Sequence, residues 1–259
     1  MGTLNGKVAL VTGASAPKGI GRAIAQRLAK EGANVVITDI NGTFKQQDTE
    51  VTRADLLESL VQDIVSQGGS VIALTLDVTS ARDIAAMMEH VLTKFGRLDI
   101  LVNNAGSLSG SDNFLSTSPA QWTSSFEVNL LGPMMLSQAV IPEMRKLGGG
   151  RIINIGSTGS LGAEPGFGAY TAMKHGLVGL TKTLAAEFGP DGILCNTVCP
   201  GFIATDMHEA ANTRLSKSKG KAWLKLNKAG IPMLPCAMQD CPKTWQTQSP
   251  IWQAPMRNM

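Results

Sequence analysis

Tyr170 is the only tyrosine in the chain, with Lys174 four residues after it and Ser157 thirteen residues before it. Positions i and i+4 of a helix lie one turn apart on the same face, so this spacing predicts a phenol beside an ammonium group. A nearby cation favours the phenolate, and an unperturbed tyrosine titrates near ~10. Bringing that value to ~7 takes about 4 kcal/mol, within reach of a close ammonium group and a second positive charge. A phenol tuned in this way passes a proton to or from an alcohol oxygen at neutral pH. Taken alone, the pair also suits two ordinary helix side chains. The elements that carry it decide between the two.

Those elements begin at the other end of the chain. Lys7 to Thr12 reads K-V-A-L-V-T, an apolar run suited to a strand buried on both faces. The turn G-A-S-A-P-K-G-I-G follows, from Gly13 to Gly21, and an apolar-periodic helix then closes at Gly32. A second buried run, N-V-V-I-T-D, ends at Asp39, 18 residues after Gly21. Strand, glycine turn, helix, strand and acid is the order that a dinucleotide site needs. Glycines let backbone N–H groups approach a pyrophosphate at a helix N-terminus, and the acid accepts from a ribose hydroxyl.

Further along, apolar strands ending near Thr12, Asp39, Thr75, Asn103, Ile155 and Val198 alternate with helices from Gly19, Arg53, Ser80, Pro119 and Ala169. That alternation predicts an α/β, doubly wound parallel sheet in three layers, with every strand C-terminus on one edge. The polar segment Asn41 to Thr52 is expected to form a loop over the adenosine end. A length of 259 residues suits one large α/β unit, and a net charge of +3 suggests no nucleic-acid partner. No signal peptide and no run of 18 apolar residues is found, so a cytoplasmic protein without a membrane span is expected. Cys195, Cys199, Cys236 and Cys241 lack the paired histidines of a metal site and are expected to be reduced.

From Lys7 to Met207 the chain resembles the short-chain dehydrogenase/reductase family, in its single-domain branch of roughly 250 residues. T-G-A-S-A-P-K-G-I-G resembles the family's Rossmann-like cofactor loop, and the resemblance implies contacts from Gly13, Ser15, Lys18, Gly19, Ile20 and Gly21. L-D-V-T, with Asp77 and Val78, resembles the adenine-contacting turn. N-N-A-G brings Asn104, Ala105 and Gly106 to the strand-end motif. P-G-F-I-A-T resembles the carboxamide clamp, through Pro200, Gly201, Ile203 and Thr205. Asn129, Ser157, Tyr170 and Lys174 match the catalytic positions. The resemblance implies hydride transfer between NAD(P) and a small alcohol or ketone. In that scheme Tyr170 is the acid/base and Ser157 bonds the substrate oxygen. Lys174 lowers the tyrosine pKa and holds the ribose, and Asn129 holds a water on the proton path. A homodimer or homotetramer is also implied.

Departures from the family pattern bear on cofactor and assembly. Five residues separate Gly13 from Gly19 where the family usually has three, and Ala16 and Pro17 are expected to bulge outward. Lys18 resembles NADP users, whereas the Asp39 carboxylate would repel a 2′-phosphate; NAD is favoured and NADP stays open. Leu108, Leu161, Phe167, Met207 and Trp223 are expected to wall the substrate site, with His175 and His208 outside the proton chemistry. The domain is expected to span 1–211, followed by a lid remnant and atypical tail at 212–259. That tail holds eight Lys/Arg against a single acid, and three of the four tryptophans. Prolines at 235, 242, 250 and 255 forbid a long helix or central strand there, so the usual last strand and an assembly contact built on it are expected to be missing. The tail reads as a frameshift product. Taken from the third base of each codon, Asp240 to Met259 admits L-P-E-D-V-A-N-A-I-A-D-L-A-S-A-D-A-K-Y, which resembles the family's helix before the last strand.

Overall fold

The computed structural model describes residues 2–46, 49–163, 165–209 and 234–235. Six runs rich in β-branched and aliphatic residues form β1 (Val8–Thr12), β2 (Asn34–Asp39), β5 (Ser70–Thr75), β6 (Ile100–Asn103), β7 (Gly150–Ile155) and β8 (Ile193–Val198). They build one parallel sheet in the order β5-β2-β1-β6-β7-β8. All five residues of β1 are buried, as a central strand covered on both faces requires. All six strands end at the residues expected from the sequence. The order reverses between β1 and β6, and that switch point opens a crevice beyond the strand C-termini, where ligands of such sheets bind.

Helices cover both faces. On one side α1 (Ile20–Lys30) and α2 (Arg53–Ser66) press Ala25, Ala29, Leu57, Leu60 and Ile64 onto Ala9, Val11, Val35 and Ile37. On the other, α3 (Ala81–Phe95), α5 (Gly132–Lys146) and α6 (Gly168–Phe188) bury Met88, Val91, Leu136, Val140 and Leu184 against Leu10, Leu101 and Ile152. The alanines of α1 matter for the site: small side chains let the helix lie close to β1, so its N-terminus reaches the glycine turn. Gly21 serves the same approach. A Cβ there would stand 2.5 Å from Asn104 Nδ2 and 2.6 Å from the Gly13 carbonyl.

Two segments differ from expectation. Residues 43–52 form an antiparallel hairpin, β3 (Thr43–Gln46) with β4 (Thr49–Thr52), in place of a loop. Thr43, Thr49, Val51 and Thr52 supply β-branched residues to this stretch, a preference that its polarity obscures. Second, the helix from Pro119 is not continuous. α4 (Pro119–Phe126), started by a Ser118/Gln121 capping box, passes through a π-helical turn at Glu127–Leu131 before α5 begins.

Among the described residues the main sheet ends at β8, and Leu194 on that strand is exposed. Residues 234–235 pair in parallel with Ile203–Ala204, apart from the main sheet. The remainder of 212–259, with Trp223 and the domain boundary expected at 211/212, lies outside the described residues. Among those residues no helix is long and apolar enough to cross a membrane.

Candidate active site

β7 ends at Ile155, and two residues later Ser157 caps a short 3₁₀ turn, where its Oγ accepts from the Gly159 N–H at 3.1 Å. Tyr170 and Lys174 occupy the first two turns of α6, so the predicted i, i+4 pair forms on a real helix. The Tyr170 phenol lies beside Ser157, and its ring meets Phe167 edge-on at 6.3 Å between centroids. Lys174 is buried. Its Nζ donates to the Ile155 carbonyl at 2.7 Å and lies 5.7 Å from the centre of the Tyr170 ring.

The electrostatics run against the sequence expectation of an acidified phenol. Burial pushes the Tyr170 phenol above its ordinary value, and the hydrogen bond from Ser157 opposes this only in part. Desolvation lowers the Lys174 ammonium to about 8, with the nearby Cys199 thiol working against it. The reason is shared burial: both charged forms lose water, and the ammonium points at a backbone carbonyl beside the ring face. At neutral pH the phenol therefore keeps its proton.

These groups stand at one end of a cleft of about 1560 Å³ that runs along the strand C-termini. Gly13, Gly19, Ile20, Asn104, Ala105 and Gly106 line its middle, where α1 opens with an extended Gly19 and no side-chain cap. Uncapped N–H groups at a helix start suit a diphosphate. Asp39, Asp77 and Val78 line the far end, while Pro200, Gly201, Ile203 and Thr205 line the part next to the Ser157 turn, where the Pro200 carbonyl accepts from the Thr158 N–H at 2.9 Å. Leu108, Phe167 and Met207 line the mouth with Phe114 and Phe202, whereas Leu161 stands exposed outside that lining. A long cleft with an N–H cradle at its centre and ionisable groups at both ends fits a dinucleotide.

Four candidate residues lie behind the cleft wall. Gly21 packs α1 against Asn104. Ser15 is fully buried, giving its N–H and hydroxyl to Asp39 Oδ2 at 3.0 and 2.6 Å. Lys18 turns away: its N–H donates to Asp206 Oδ2 and its Nζ to Glu209 Oε1, both at 2.9 Å. Asn129, buried in the π-helical turn, accepts from Ser107 N and donates to the Ser107 carbonyl and to Ser125. It thereby ties the loop after β6 to the helix. Of the histidines, the exposed His175 bonds back to the Thr171 carbonyl, and His208 packs against Phe202.

Sequence reasoning missed Arg53. Its Nη1 donates to Ser15 Oγ at 3.0 Å and lies 3.3 Å from Asp39 Oδ1, on the cleft wall. Arginine at a helix start is common enough to carry no signal, and only the hairpin places it there.

The chain matches the family model described as short chain dehydrogenase over residues 7–216. It is 39% identical over 212 residues to a 3-oxoacyl acyl-carrier-protein reductase of Synechocystis sp., covering 82% of this chain and 80% of that one. A solved structure of an actinorhodin polyketide ketoreductase variant with NADPH superposes with a TM-score of 0.80 at 32% identity, over 92% of this chain and 88% of the other. NAD+-bound xylitol dehydrogenase superposes with a TM-score of 0.75 at 28% identity, over 84% and 78%. A parallel sheet with a glycine turn at its switch point, a serine, tyrosine and lysine gathered at one cleft end, and these matches agree: the chain belongs to the short chain dehydrogenase family of oxidoreductases.

Proposed function

We propose that this protein is an NAD(P)-dependent ketoreductase, interconverting a medium-sized ketone and its secondary alcohol, with Tyr170 as the acid/base. The single observation that carries this reading is the gathering of Ser157, Tyr170 and the buried Lys174 on one cleft, with Lys174 fixed by the Ile155 carbonyl. A neutral phenol is an acid able to donate to a ketone oxygen, and the same group takes the proton back in the reverse reaction. The names of the related ketoreductases point the same way.

When bound, the nicotinamide supplies or takes the hydride. Ser157 hydrogen-bonds the carbonyl oxygen of the substrate and stabilises the charge that grows there. Tyr170 gives its proton to that oxygen. Lys174, fixed by the Ile155 carbonyl, holds the ribose and returns a proton to the phenol. Asn129 uses both amide hydrogens on Ser107 and Ser125, so the water-holding role falls to its backbone carbonyl in the π-helical turn. Leu108, Phe167 and Met207 favour an apolar substituent on the ketone. At the far end Asp39 supports NAD, and NADP use turns on the cations beside it. The assignment of residues 1–211 as the catalytic unit, and a homodimer or homotetramer in the cytoplasm, belong to the same reading.

The test is turnover of a ketone panel with NADH and NADPH, followed by nicotinamide absorbance. Tyr170→Phe is expected to lower kcat by about 10²- to 10⁴-fold while cofactor binding is kept. Cofactor binding with no turnover across the panel overturns the enzyme reading in favour of a regulatory or scaffolding role.

A further inference from the structure

The carboxylate expected to hold the ribose is already occupied. Asp39 Oδ2 accepts from the Ser15 N–H and hydroxyl, and Oδ1 accepts from the Ile40 N–H at 2.9 Å and from Arg53 Nη1 at 3.3 Å. A carboxylate offers about four lone-pair positions, so a ribose hydroxyl reaches Asp39 only by displacing one of these donors. The longest of these contacts is that of Arg53, whose side chain is 27% exposed where Ser15 is fully buried. Lys18, the other basic candidate, is committed to Glu209.

Arg53 is held at this spot by its backbone. The β3–β4 hairpin pairs Thr43 with Thr52, and the Arg53 N–H donates to the Gly42 carbonyl at 2.8 Å. Thr52 then caps α2, accepting from the Asp55 N–H at 3.0 Å. The guanidinium at the first position of α2 thus lines the cleft beside Asp39 on a stem fixed by its backbone. A guanidinium fork matches a phosphate as well as a carboxylate, and the bonds it makes to either are charge-assisted.

We propose that Arg53 is the cofactor-specificity residue of this chain: it receives the 2′-phosphate of NADP, and by moving between Asp39 and that phosphate it lets the site take NAD and NADP alike. With NAD, a ribose hydroxyl takes the place of Arg53 at Asp39 Oδ1, and Arg53 keeps its bond to Ser15 Oγ. With NADP, it leaves Asp39 to Ser15 and Ile40 and turns to the phosphate. The proposal rests on the dinucleotide reading of the cleft given above.

Calorimetric titration of NAD+, NADP+, 2′-AMP and 5′-AMP tests it without relying on turnover. The native chain is expected to bind NAD+ and NADP+ within about tenfold of each other. Arg53→Gln is expected to weaken NADP+ and 2′-AMP by about tenfold or more, as for loss of a charged hydrogen bond, and NAD+ and 5′-AMP by less than about threefold. Retained NAD+ binding shows that this variant is folded. Arg53→Lys, which keeps the charge and loses the fork, is expected to fall between the two. NADP+ binding more than about a hundredfold weaker than NAD+ in the native chain overturns the proposal, as does an equal loss of both cofactors in Arg53→Gln. Failure of the native chain to bind either cofactor defeats the dinucleotide reading itself.

Discussion

Lys174 is held where an ammonium group is least at ease, and the consequences can be measured. Its folded-state value, about 8, lies below the ordinary 10.5, so the folded chain binds this proton less readily than the unfolded chain. The penalty is therefore full below pH about 8 and is relieved as pH rises toward 10.5. It amounts to about 3 kcal/mol, from which ~1–2 kcal/mol is offset by the bond to the Ile155 carbonyl that a methionine would forfeit. Lys174→Met is expected to be ~1–2 kcal/mol more stable than the native chain at pH 7, with the advantage lost near pH ~10. Urea midpoints at the two pH values check this. In the native chain, kcat/KM for ketone reduction is expected to stay flat through neutrality and fall above pH about 8, as Lys174 loses its proton. The placing of Ser157, Tyr170 and Lys174 was legible because a helical spacing and one strand end suffice to bring them together. The direction of the phenol's shift was not, since it depends on how deeply Phe167 and α6 bury the ring.

At the scale of elements, one buried polar ladder stitches the catalytic helix to the sheet. Asn103 Nδ2 donates to Asn154 Oδ1 at 2.8 Å, Asn154 Nδ2 donates to Thr181 Oγ1 at 2.8 Å, and Thr197 Oγ1 donates to Thr181 Oγ1 at 2.7 Å. The chain of bonds crosses β6, β7 and β8 and ends on α6, eleven residues beyond Tyr170. Asn154→Ala strips partners from both Asn103 and Thr181 in the dry interior. The expected loss is about 2–4 kcal/mol in chemical denaturation, with a drop in kcat as α6 loses its anchor. If KM rises instead while kcat holds, the ladder does not position the catalytic helix. The strands were legible because each is an aliphatic run stopped by glycine or a polar residue at the sheet edge. The β3–β4 hairpin was hidden by its polarity. The π-helical turn was hidden because E-V-N-L-L continues the helical period without a break, and only the bonds of Asn129 mark it.

At the scale of the whole molecule, alternation of strands and helices with right-handed crossovers was enough to foresee the layers and the edge that carries the site. Contacts between remote surface segments were not foreseeable, because no local pattern records them. The bond between Lys18 and the 206–209 stretch is of this kind: it spans the chain from the first strand's turn to the segment after the last strand of the main sheet. Of the two additional residues of the glycine turn, Ala16 lines the cleft instead of bulging outward, because its carbonyl accepts from the Gly19 N–H at 2.9 Å. The bonds of Lys18 form an ionic link between the glycine turn and a stretch whose residues 206–208 line the cleft. Exposed ion pairs loosen as the Debye length shrinks, so this enzyme is expected to shed its cofactor about two- to fivefold faster in half-molar salt than in dilute buffer. Stopped-flow release measured with Glu209→Gln is expected to lose that salt response, which ties the exchange rate of the cofactor to the basic residue of the glycine turn.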